Sequence, residues 1–88
     1  MTIPATIRKL FFYKGLKVSD FALNKGEGLP RHEHEYNHAT MCLLGSCVIR
    51  KENLELILTP TDDAVDLTAN EWHEIEALED NTIVVNIE

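Results

Sequence analysis

The reading of this chain turns on residues 26–45, GEGLPRHEHEYNHATMCLLG. The chain has four histidines, and three of them, His32, His34 and His38, fall here in the spacing H-x-H-x3-H. Successive side chains of a strand point to opposite faces, so His32 and His34 share a side. His38 has the same parity, whether the strand continues or resumes after a bend at Tyr36-Asn37. Three neutral imidazoles on one side of a sheet offer three lone pairs, a donor set suited to Zn, Fe, Ni or Cu. Each histidine also has a plainer reading as a surface or satisfied core residue, and Glu33 and Glu35 would suit a solvated loop equally well.

Outward from this stretch the chain reads as short strands. Turn-forming residues cluster at Gly15, Gly26-Gly28-Pro30, Gly45, Asn53, Pro60 to Asp63, Asn70 and Asp80-Asn81, at the spacing of about 8–12 residues expected of an all-β sandwich or barrel. Between them lie Ile7 to Tyr13, Leu16 to Leu23, His38 to Leu44, Cys47 to Arg50, Leu54 to Leu58, Val65 to Leu67, Trp72 to Leu78 and Thr82 to Ile87. Leu54, Leu56 and Leu58 alternate with their neighbours, and His73, Ile75 and Ala77 share one side of their segment. Residues 70–80 carry helix-compatible glutamates, but their alternation and short length favour a strand. The expectation is seven to nine strands in one domain over residues 1–88.

Composition narrows the function. Hydrophobic residues make up 44% and charged residues 26%, ordinary for a globular protein. Fifteen acidic side chains against eight Lys and Arg give a formal charge of −7. Such a surface attracts neither phosphate backbones nor anionic lipids, so no nucleic acid and no membrane is expected as a partner. Two cysteines, Cys42 and Cys47, are too few for a disulfide scaffold. With no secretory signal and no long apolar span, the expected location is the cytoplasm.

The stretch resembles the first signature motif of the cupin superfamily, G-x5-H-x-H-x3-E-x6-G. Gly26, His32, His34, His38 and Gly45 match every spacing; the departure is His38 where the family has Glu. Residues 68–77 resemble the second motif, P-x-G-x2-H-x3-N, with His73 on the histidine while Thr68, Asn70 and Ala77 replace Pro, Gly and Asn. The resemblance implies a small antiparallel double-stranded β-helix, or jelly-roll barrel, with a divalent transition metal (Fe, Ni, Zn, Mn or Cu) in its mouth. Carried over residue by residue, the implied ligands are His32, His34, His38 and His73. An all-histidine set is neutral, which leaves the ion its full charge toward anionic or carbonyl-oxygen ligands and toward bound water.

Two functions follow from the resemblance. One is a metal-dependent dioxygenase, or an isomerase or lyase, acting on a small oxygenated molecule held in the barrel, with Tyr36 as the best additional acid or hydrogen-bond donor. The other is a non-catalytic module that binds or senses a metal or small molecule. Tyr36 has the alternative role of a wall-filling aromatic. Cys42 and Cys47 flank Leu44-Gly45; a two-residue hairpin there would make them cross-strand partners, as packed thiols, a redox pair or soft metal ligands. Arg31 reads as a surface residue and Trp72 as an outward or interface residue. Glu71 or Glu74 could take the second N–H of His73. The resemblance also implies a homodimer. Leu10-Phe11-Phe12-Tyr13 is the candidate contact, and an internal strand buried on both faces is the alternative.

Overall fold

In the computed structural model, residues 2–32 and 37–88 are described, with Arg31 and His32 described in their backbone alone. Ten strands form among them: β1 (Ile3–Pro4), β2 (Ile7–Tyr13), β3 (Leu16–Leu23), β4 (Glu27–His32), β5 (His38–Leu44), β6 (Cys47–Lys51), β7 (Leu54–Leu58), β8 (Val65–Leu67), β9 (His73–Ala77) and β10 (Thr82–Ile87). No described residue is helical. They make two five-stranded sheets, ordered β1-β4-β9-β6-β7 and β2-β3-β10-β5-β8. Every pairing is antiparallel except β1 with β4.

Alternation sets which side chains meet between the sheets. His73, Ile75 and Ala77 of β9 are buried while Glu74 and Glu76 are not, as the period of two requires. His38, Thr40 and Cys42 of β5 face the same interior. Phe21, Leu23, Ile49, Leu58, Leu67, Ile75 and Val84 fill the core. Full burial of each such side chain contributes about 1.5–3 kcal/mol.

β4 lies where the turn residues Gly26, Gly28 and Pro30 mask a strand. Gly28 is required there because a Cβ would overlap the backbone carbonyl of Ile75 on the neighbouring strand. Pro30 sits where the β4–β9 register shifts, between Leu29 and His32, a place where a sheet tolerates a residue without an N–H. Alternation from His38 puts Thr40, Cys42 and Leu44 on one side of β5, and that expectation ends at the last residues. Pairing with β10 shifts register between Ile83 and Val84, and Leu44 is left exposed.

The hairpin reading of Leu44-Gly45 is not what forms. β5 and β6 belong to different sheets, so the segment between them is a corner that carries the chain across the sandwich. Gly45 turns it at φ +77, and a Cβ there would run into the side chain of Thr82. Cys42 and Cys47 are therefore core neighbours from opposing sheets, both free thiols.

The internal-strand reading of residues 7–13 is also corrected. β2 is the edge of its sheet, and all seven of its residues are exposed. Among the described residues no helix is long and apolar enough to cross a membrane.

Candidate metal centre

The two described imidazoles of the predicted ligand set come together from opposite sheets. His38 opens β5 in one sheet and His73 opens β9 in the other. Both are buried, at 4% and 0% exposure. Their Nε2 atoms stand 3.2 Å apart, with the rings edge to face at 63°. β4 brings the third position alongside, since the Cα of His32 is in register with that of His73. The side chain of His32, and the whole of His34 and Tyr36, lie outside the described residues. Among the described residues no group of three or more His, Cys, Asp or Glu is arranged to hold an ion.

The outer nitrogens of the pair are each engaged. His73 Nδ1 lies 3.1 Å from the carbonyl oxygen of Glu71. A carbonyl only accepts, so Nδ1 carries the hydrogen and Nε2 of a neutral ring is a bare lone pair. His38 Nδ1 lies 3.3 Å from the Thr40 hydroxyl. A Glu carboxylate was one expected partner for His73; its place is taken by the Glu71 backbone, while the Glu71 carboxylate pairs with Lys51 at 3.3 Å.

The donor set passes a simple fit test. Two imidazoles on one ion at about 2.0–2.1 Å stand about 2.9–3.4 Å apart, depending on whether they meet at a right or a tetrahedral angle. The observed 3.2 Å falls inside that range. Hydrogen bonds from the outer ring nitrogens are the usual means by which a protein orients metal-binding histidines.

The corner of the second motif is also built. Asn70, at the motif's glycine position, adopts φ +62. Asn is among the few non-glycine residues that enter the left-handed region readily, so it serves in glycine's place. The turn is tied to the first-motif side of the site, where the Asn37 side-chain oxygen accepts the Ala69 N–H at 2.7 Å.

The two-sheet architecture agrees with solved structures over nearly the whole chain. KdgF from Halomonas sp. superposes with a TM-score of 0.80 at 21% identity, covering 90% of this chain and 73% of that one. A cupin superfamily protein from Desulfitobacterium hafniense gives a TM-score of 0.74 at 19% identity, covering 94% and 79%. The fold is that of a cupin. A cupin 2 domain-containing protein from Halorhodospira halophila gives 0.80 at 20% identity over 96% of this chain and 63% of its own. No family profile matches the sequence, and no curated protein does.

Arg50, which could in principle pair with an acidic substrate, and the two cysteines fall away from this centre. Arg50 lies on a solvent-facing side of its sheet, bonded to Glu74 and Glu76. Burial pushes the Cys47 thiol up to about 12, with Cys42 adding to it, and burial likewise raises Cys42. Thiols held protonated in this way are poor metal ligands and poor nucleophiles. A cavity of about 310 Å³ opens beside Arg8, Asn24, Leu44 and Ile83, at the opposite end of β5 and β10 from His38. Alternation in the sequence places Thr40 on the side of His38, but sequence reasoning gave it no role and missed Asn86. Their polar character at inward positions of two strands was the available signal.

Proposed function

We propose that this cupin binds one divalent transition metal through His32, His34, His38 and His73. The observation that carries the reading is the His38–His73 pair, with Nε2 atoms at 3.2 Å and both Nδ1 atoms engaged behind them. The H-x-H spacing and the register of His32 opposite His73 support the other two ligands. When bound, the ion supplies Lewis acidity at its remaining positions, undiminished by any ligand carboxylate. The chain's own contribution is to orient neutral imidazoles and to keep them dry among Leu67, Ile75 and Ile49, all fully buried.

The ligand such a centre favours is a small oxygenated molecule, and the reaction class proposed is dioxygenation, with Tyr36 as the additional polar group. Metal analysis of the purified protein tests the first step. About one ion per chain is expected, with His34→Ala and His73→Ala each abolishing it. A metal-free protein whose thermal stability ignores both added Zn²⁺ and chelator would overturn the reading. Oxygen uptake by the loaded protein over a panel of diketones, catechols and thiols tests the second step. Silence across that panel with the metal present leaves a binding or sensing module.

We propose further that a second copy of the chain covers β2. Leu10, Phe11, Phe12 and Tyr13 are 41–71% exposed, and alternation puts two of them on each face of an edge strand. The chain's own sheets cover neither face, whereas a two-fold pairing of β2 edges closes the open ladder and sets these side chains beside their copies on each face.

A further inference from the structure

We propose that Thr40 and Asn86 form a positioning relay that fixes the proton of His38 on Nδ1 and thereby makes Nε2 its lone-pair donor. The Thr40 hydroxyl is fully buried and owns one hydrogen. It gives that hydrogen to Asn86 Oδ1 at 2.7 Å. The hydroxyl oxygen is then left with lone pairs alone toward His38 Nδ1, 3.3 Å away. Only one arrangement satisfies both contacts: His38 Nδ1–H donates to Thr40, and Thr40 donates to Asn86.

Asn86 reaches this position through register. It pairs with Thr40 across the β10–β5 ladder, and both side chains point inward, with Asn86 at 7% exposure. Two buried polar side chains cost desolvation unless they satisfy one another. Here they do so and also impose a direction on the third member. His73 needs no relay, because the Glu71 carbonyl enforces the same tautomer directly. With both Nδ1 atoms protonated, the two Nε2 atoms are the positions left to share an ion, or in its absence one added proton, across their 3.2 Å contact. This consequence for metal affinity rests on the metal-binding reading, whereas the tautomer of His38 does not.

Long-range ¹H–¹⁵N correlation spectra of the wild-type protein, chelated and zinc-loaded, test the relay. His38 Nδ1 is expected to be protonated in both; a bare Nδ1 overturns the proposal. Asn86→Ala returns the Thr40 hydrogen to free rotation and lets it donate to His38 Nδ1. Mixed tautomers are then expected, with zinc affinity about 10- to 100-fold weaker by chelator competition. Thr40→Val is expected to do the same, and Thr40→Ser to restore wild-type spectra and affinity. Unchanged His38 shifts in Asn86→Ala and Thr40→Val would overturn the relay. If the wild-type protein binds no zinc, metal binding fails, and the ¹⁵N shifts still decide the relay. If neither Asn86→Ala nor Thr40→Val folds, the wild-type and Thr40→Ser spectra decide it.

Discussion

Arg50 on β6 holds the carboxylate of Glu76 on β9 at 3.0 Å, and the same nitrogen reaches Glu74 at 2.9 Å. One guanidinium so ties two carboxylates of the neighbouring strand, and Thr2 adds a hydrogen bond to Glu76 at 3.2 Å.

This contact makes part of the stability pH-dependent. The hydrogen bond from Arg50 holds the Glu76 carboxyl below its ordinary value of 4.5. A depressed folded-state value stabilises the fold above the ordinary value, and the contribution is lost as pH falls through the depressed one. Arg50→Met is expected to cost about 1 kcal/mol or less at neutral pH, because the pair is partly solvated. The difference from wild type should shrink as pH is lowered below 4.5. Urea melts across that range check it, and a constant difference would contradict it.

Gly45→Ala should destabilise by about 1–3 kcal/mol, because the left-handed backbone is strained for alanine and the new methyl meets the Thr82 side chain. Gly15→Ala strains the backbone too, but nothing lies near its added methyl. The urea midpoint of Gly45→Ala should therefore fall further than that of Gly15→Ala, and equal losses would count against the steric account.

A thiol reagent should find nothing in the native protein. Cys42 and Cys47 are 3% and 0% exposed, and Cys47 stays protonated with a value near about 12. Two thiols per chain should react in denaturant and none within the native lifetime at pH 8. Rapid modification of the native protein would contradict the burial described.

Phe12→Glu tests the β2 contact. Sedimentation should give a wild-type dimer of about twice 10.0 kDa and a monomeric variant with the same circular dichroism. A wild-type monomer at micromolar concentration would remove the proposal.

Much of this architecture can be read in the residues, for physical reasons that also mark the exceptions. The alternation at His73, Ile75 and Ala77 gives β9 because one face of it is buried and the other wet. β4 stays hidden because its glycine and proline answer to tertiary demands, a crowded carbonyl at Ile75 and a register shift. The Cys42–Cys47 relationship is misread as a hairpin because a two-residue corner between sheets and a tight hairpin carry the same glycine. At the site, parity over residues 32–38 places the histidines on one sheet, but His32 lies on β4 and His38 on β5 of the opposing sheet. The Thr40–Asn86 contact depends on a strand register set 46 residues away. No local pattern reports that.

His38 and His73 stand 35 residues apart and in different sheets. An ion gripped by both rings is accordingly a fastener as well as a chemical centre. It would clasp one end of the sandwich across a long stretch of chain. The opposite end is laced independently, by Thr82 onto the carbonyls of Ser46 and Glu79. If the proposed ion is bound there, removing it is expected to loosen the histidine end first and leave the Thr82 end in place.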